Sequence, residues 1–118
     1  MSVPLEFHLS GPDISDHERS AVGKVLEGST LALGPWVERF ENQVAGGAGV
    51  SHGIATNSGT SALHLCVRIL GWGDGDEIIT TPFSFIASTN CLLYEGARPV
   101  FVDVDPATLN LDTEAVRR

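Results

Sequence analysis

Apolar positions recur at helical spacing near the start of the chain and in shorter, strand-like runs further along. Ala21, Val22, Val25 and Leu26 fall on one face of a helix. Ser15-Asp16-His17-Glu18 precedes them with the form of a capping box, in which serine and glutamate satisfy each other's backbone donors, and Gly28 closes the segment. Trp36, Val37, Phe40 and Val44 make a second stripe. It opens at Gly34-Pro35, with proline at the first helical position, and closes at Gly46-Gly47. Both helices are expected to be half buried.

The rhythm then changes. Val50 to Thr56 reads as a strand, Thr60 to Leu70 as an apolar helix, and Glu77 to Thr81 as a second strand. Phe85 to Glu95 reads as a helix stopped at Gly96, and Pro99 to Val104 as a third strand before the Asp105-Pro106 turn. Strands and helices alternating at this spacing require crossover connections and therefore a parallel sheet. The expected class is α/β, with a helical segment over 1–47 and a β-α-β-α-β unit over 48–118. Gly71, Gly73 and Gly75 follow a helix and precede a strand, the reverse of a dinucleotide fingerprint, so they mark a turn.

Composition narrows the function classes. Seven basic residues against fifteen acidic ones give a net charge of -8, and the only basic run is the terminal arginine pair. That balance disfavours a nucleic-acid or anionic-membrane surface. Met1 to Ser10 lacks a basic leader and an apolar core, and no apolar run approaches membrane-spanning length. Cys66 and Cys91 lie inside helical segments and are expected to be buried thiols in a reducing compartment, which points to the cytoplasm. Asp112 has the character of an N-cap, yet only six residues follow it, so the terminus reads as a truncation.

Candidate chemistry gathers where strands end. Asn57-Ser58-Gly59-Thr60-Ser61 joins the first expected strand to its helix, and ligands in open α/β sheets bind at such carboxyl ends. Free N–H groups and a helix dipole of roughly half an elementary charge suit a phosphate there. A helix capped by its own serine or threonine is the alternative. Thr81-Pro82-Phe83-Ser84-Phe85 follows the second strand, where an aromatic can stack on a flat heterocycle or belong to the core. Asp103 and Asp105 end the third strand, and an Asp-Pro turn with solvated acids is favoured over a metal site. His8, His17, His52 and His64 show no paired metal spacing and read as structural or surface residues.

With these residues placed, the chain resembles the DegT/DnrJ family of nucleotide-sugar aminotransferases from about His8 to Asp112. The resemblance rests on Gly11-Pro12-Asp13-Ile14-Ser15, Leu33-Gly34-Pro35 with Val37 and Phe40-Glu41, and Ser58-Gly59-Thr60-Ser61-Ala62-Leu63. It continues through Gly73-Asp74-Gly75-Asp76-Glu77-Ile78, Phe85-Ile86-Ala87-Ser88 and Gly96-Ala97-Arg98-Pro99-Val100-Phe101-Val102-Asp103.

The resemblance implies part of the large domain of a homodimeric fold type I enzyme that uses pyridoxal 5'-phosphate. Such an enzyme moves an amino group, usually from glutamate, onto a nucleotide-linked keto sugar. Thr60 and Ser61 would hold the cofactor phosphate through their amides, Gly59 would permit close approach, and Phe85 rather than Phe83 would stack on the pyridine ring. The family also needs a Schiff-base lysine and an acid at the pyridine nitrogen. The only lysine here, Lys24, matches no family lysine motif. No catalytic residue and no metal ligand is therefore assigned. The isolated chain is expected to be inactive and a poor independent folder, with an open strand edge and an uncovered apolar face. A silent fragment and a sugar dehydratase of the same family are the alternatives.

Overall fold

Ser15 starts the first helix as its spacing predicts. Its hydroxyl accepts from the His17 amide at 3.2 Å, while the Glu18 carboxylate accepts from the Ser15 amide at 2.7 Å and from the Ser15 hydroxyl. The structure, a computed structural model, describes residues 10–118. It contains α1 (Asp16–Leu26), α2 (Pro35–Ala48), α3 (Gly59–Leu70), β1 (Glu77–Thr80), α4 (Ala87–Leu93), β2 (Arg98–Phe101) and α5 (Thr113–Val116). The chain divides into two compact units at the Ala55–Thr56 bond.

In the first unit, α2 runs through Gly46-Gly47 instead of stopping there. It ends where Gly49 takes the left-handed conformation at φ 69°. The Gly49 amide then bonds to the Gly46 carbonyl at 3.3 Å and the Val50 amide to the Ala45 carbonyl at 3.0 Å. This is a Schellman closure; it needs positive φ, and neither Gly46 nor Gly47 supplies it.

The expected half burial of these helices holds poorly. No residue of α1 is buried, Ala45 alone is buried in α2, and Val22, Phe40 and Val44 are all exposed. Their amphipathic pattern is sound, but of the two stripes only Ala21, Val25 and Val37 are half-buried.

The expected strand over 50–56 does not form. A strand exists only when its backbone is paired, and no residue of this segment pairs with a strand among the described residues. The Ala55 amide donates to the Glu41 carboxylate at 2.8 Å, and a side chain at Gly53 would come within 2.6 Å of the Glu41 carbonyl oxygen.

The second unit holds the sheet. β1 and β2 pair in parallel with Glu77 opposite Arg98, Ile78 opposite Pro99, Ile79 opposite Val100 and Thr80 opposite Phe101. Glu77 and Arg98 also form an ion pair across this register. Among the described residues the sheet therefore has two strands where three were expected. β2 ends at Phe101, earlier than the sequence suggests, because Val104 bridges antiparallel to Leu111 and no longer follows β1. Asp112 caps α5 as anticipated, accepting from the Glu114 and Ala115 amides at 2.9 and 3.2 Å.

Val67 of α3, Cys91 and Leu92 of α4, and Ala97 at the entry to β2 form the core, with Ile78 of β1 packed against it. Cys91 is buried, but Cys66 is exposed, contrary to expectation. Successive helical residues turn by about 100°, so placing Val67 inward carries its neighbour Cys66 away from α4.

Candidate functional site

α3 ends at Leu70 and the chain reaches β1 at Glu77, so the start of α3 lies toward the carboxyl edge of the sheet. Ser58 is its N-cap in extended backbone. Its hydroxyl accepts from the Ser61 amide at 3.1 Å and lies 3.0 Å from the Ser61 hydroxyl, which in turn donates to the Asn57 side-chain carbonyl at 2.7 Å. The Ser58 carbonyl accepts from the Thr56 hydroxyl at 2.9 Å and from the Ala62 amide at 3.1 Å.

Of the amides singled out from sequence, that of Ser61 is thus engaged by the cap. Those of Gly59 and Thr60 have no acceptor among the described residues. A β-carbon built on Gly59 meets no atom within 4 Å, so there is open space beside its α-carbon, while Thr60 is half-buried. Two N–H groups without an internal acceptor, at the positive end of a three-turn helix, suit an anion.

The second strand end carries a shallow cavity of about 340 Å³. Thr81, Pro82 and Ser84 line it from the loop after β1, Ile86, Thr89 and Asn90 from the start of α4, and Phe101 from the end of β2. Ile86, Thr89 and Asn90 share one helical face by their i, i+3, i+4 spacing, which is legible in the sequence. Phe85 and Phe83 do not line this cavity; they are 77% and 68% exposed. Neither ring is packed here, so the expected preference for Phe85 over Phe83 is not expressed in this cavity. α4 begins at Ala87, later than the sequence suggests, leaving Phe85 in the preceding loop with its carbonyl accepting from the Ser88 amide and hydroxyl at 3.1 and 2.8 Å.

The carboxylates after β2 serve the local turn. Asp105 accepts from the Ala107 and Thr108 amides at 2.9 and 2.8 Å and from the Thr108 hydroxyl at 3.1 Å. These bonds, the Thr108 amide foremost, hold its carboxyl below the ordinary aspartate value. Asp103 accepts from the next amide, that of Val104, at 2.8 Å. Among the described residues no cluster of His, Cys, Asp or Glu is placed to hold a metal ion.

A polar group unrecognised in the sequence joins α3 to the end of α4. Glu95 lies 2.6 Å from the His64 imidazole and accepts two bonds from Arg68 at 3.1 Å. His64 also meets the Tyr94 ring edge-on, with centroids 5.2 Å apart. Hydrogen bonds from His64 and then Arg68 lower the Glu95 carboxyl. The i, i+4 spacing of His64 and Arg68 was visible; their shared partner 27 residues on from Arg68 was not.

Comparison with known proteins sets these features in context. The sequence profile of the DegT/DnrJ/EryC1/StrS aminotransferase family matches residues 12–118. The chain is 46% identical over 103 residues to UDP-N-acetyl-3-dehydro-alpha-D-glucosamine 3-aminotransferase of Acidithiobacillus ferrooxidans, covering 87% of this chain and 27% of that protein. It is 43% identical over 101 residues to the spore coat polysaccharide biosynthesis protein SpsC of Bacillus subtilis, covering 86% of this chain and 26% of SpsC. Its fold matches E. coli GDP-4-keto-6-deoxy-D-mannose-3-dehydratase, solved with bound hydrated pyridoxal phosphate, with a TM-score of 0.87 and 30% identity. That match covers 95% of this chain and 30% of the dehydratase. The chain thus spans about a quarter of the length of the curated relatives it matches.

Proposed function

We propose, on the premise that the chain belongs to the DegT/DnrJ/EryC1/StrS aminotransferase family, that it supplies the phosphate-holding turn of a pyridoxal-phosphate-dependent sugar aminotransferase. Bound pyridoxal phosphate contributes the electron-withdrawing ring through which an amino group passes between donor and acceptor. This chain's part is to hold and orient it. Gly59 and Thr60 donate their amides to the phosphate, and the positive end of α3 favours its charge. The Ser58–Ser61 cap closes the start of the helix beside those amides, and Ser61 can exchange its capping bond for one to the phosphate. Phe85, exposed ahead of α4, is the aromatic offered to the pyridine ring.

A nucleotide-linked keto sugar as acceptor is supported by the named activity of the Acidithiobacillus relative, and glutamate is proposed as donor. The working enzyme is proposed to be a cytoplasmic homodimer. The only lysine, Lys24, lies on α1 and matches no family lysine motif, so the chain alone is expected to hold the cofactor without turning over substrate. The likeness to a sugar dehydratase supports a second reading, in which the same turn and cofactor serve removal of a hydroxyl from the sugar.

The observation that carries the proposal is the pair of amides without an internal acceptor at Gly59 and Thr60, with open space beside the Gly59 α-carbon. Equilibrium dialysis of pyridoxal phosphate against the full chain and its Gly59→Leu variant tests it. The added side chain should weaken binding at least tenfold. Equal binding by the two proteins would remove the turn from the cofactor site.

A further inference from the structure

A second concave site lies in the first unit, between α1 and α2, and involves none of the phosphate-turn residues. It encloses about 400 Å³, within the size range of small-molecule sites. α1 contributes His17, Ser20 and Lys24, and α2 contributes Trp36, Arg39 and Gln43. In each helix the three residues follow the i, i+3, i+7 spacing of a single face, so the side chains converge because two helical faces meet.

The charge of this cleft runs against the rest of the chain. The protein carries fifteen acidic side chains, and α1 and α2 themselves bear Asp16, Glu18, Glu38 and Glu41, yet no carboxylate lines the cleft. Arg68, Arg98 and Arg117 each pair with a glutamate, whereas Lys24 and Arg39, like Arg19 and Arg118 outside the cleft, make no ion pair among the described residues. Arg39 is instead held over the Trp36 ring, 5.8 Å from its centroid. That contact orients the guanidinium without neutralising it.

We propose that the α1–α2 cleft binds a small phosphate-bearing anion. Lys24 and Arg39 supply the charge, and Ser20, Gln43 and His17 supply hydrogen bonds around it. Inorganic phosphates and nucleotides share this chemistry, and Trp36 offers an aromatic face that only a nucleotide base would use.

Trp36 is also the reporter. In the full chain carrying Trp72→Phe it is the only tryptophan, so its emission can be followed as inorganic pyrophosphate or uridine diphosphate is added at constant ionic strength. A saturable change is expected, and Lys24→Gln with Arg39→Gln should raise the apparent Kd at least tenfold while far-UV circular dichroism stays unchanged. Equal affinity for the two probes would assign the site to inorganic phosphates, and tighter uridine diphosphate would assign it to nucleotides. Two results would overturn the proposal: no saturable change up to about 1 mM of either probe, the weak end of specific binding, or a response indifferent to removal of both cations.

Discussion

The Ser58 hydroxyl takes the Ser61 amide at 3.1 Å and so completes the cap of α3 while leaving the amides of Gly59 and Thr60 without an internal acceptor. Losing a serine cap costs about 1 kcal/mol. Ser58→Ala is therefore expected to lower unfolding free energy by about that amount in urea titrations, yet to keep pyridoxal phosphate binding, because the two unengaged amides remain. A large loss of affinity with little loss of stability would mean that the hydroxyl itself contacts the ligand.

Leu92 and Cys66 should respond in opposite ways to truncation. Leu92 sits in the core with Val67, Cys91 and Ala97, and emptying such a site costs about 2–5 kcal/mol, much of what a small domain has. Leu92→Ala should unfold most of the chain at room temperature, whereas Cys66→Ser, on the exposed side of α3, should change stability by no more than about 0.5 kcal/mol. Thiol labelling of the native chain offers an independent check, since one fast-reacting cysteine is expected and Cys91 should react only on unfolding.

Acid should loosen the α3–α4 junction through Glu95. Its folded pKa is lowered, by His64 first and Arg68 second, so its contribution is fully present above the unfolded value near 4.5 and is lost as pH falls through the folded value. The wild-type chain should lose stability below about pH 4.5, and Glu95→Gln should flatten part of that slope. Glu18 and Asp105, also lowered, leave a residual slope. An identical acid profile for the variant would show that the His64–Glu95–Arg68 cluster does not persist in solution.

Legibility in the sequence followed the range of the interactions. The Ser15–Glu18 capping box, the proline start of α2, the Ser58 start of α3 and the Asp112 cap of α5 are local chemistry, and each was visible within four or five residues. The end of α2 was misjudged because three glycines in four positions compete, and only backbone geometry distinguishes Gly49. The strand expected over 50–56 failed for a different reason. Its pattern is strand-like, but pairing is a long-range property, and here Ala55 turns to Glu41. The candidate site divides the same way: the phosphate turn could be read from one short segment, whereas the cavity joining Thr81, Asn90 and Phe101 depends on how β1, α4 and β2 assemble.

Amide NMR of the full chain, titrated with pyridoxal phosphate and, separately, with pyridoxal, asks whether the start of α3 holds the phosphate of the cofactor. Saturable shifts are expected at the Gly59 and Thr60 amides with the phosphorylated compound and none there with pyridoxal. Equal shifts with both compounds, or phosphate-dependent shifts confined to the α1–α2 cleft around Lys24 and Arg39, would contradict it.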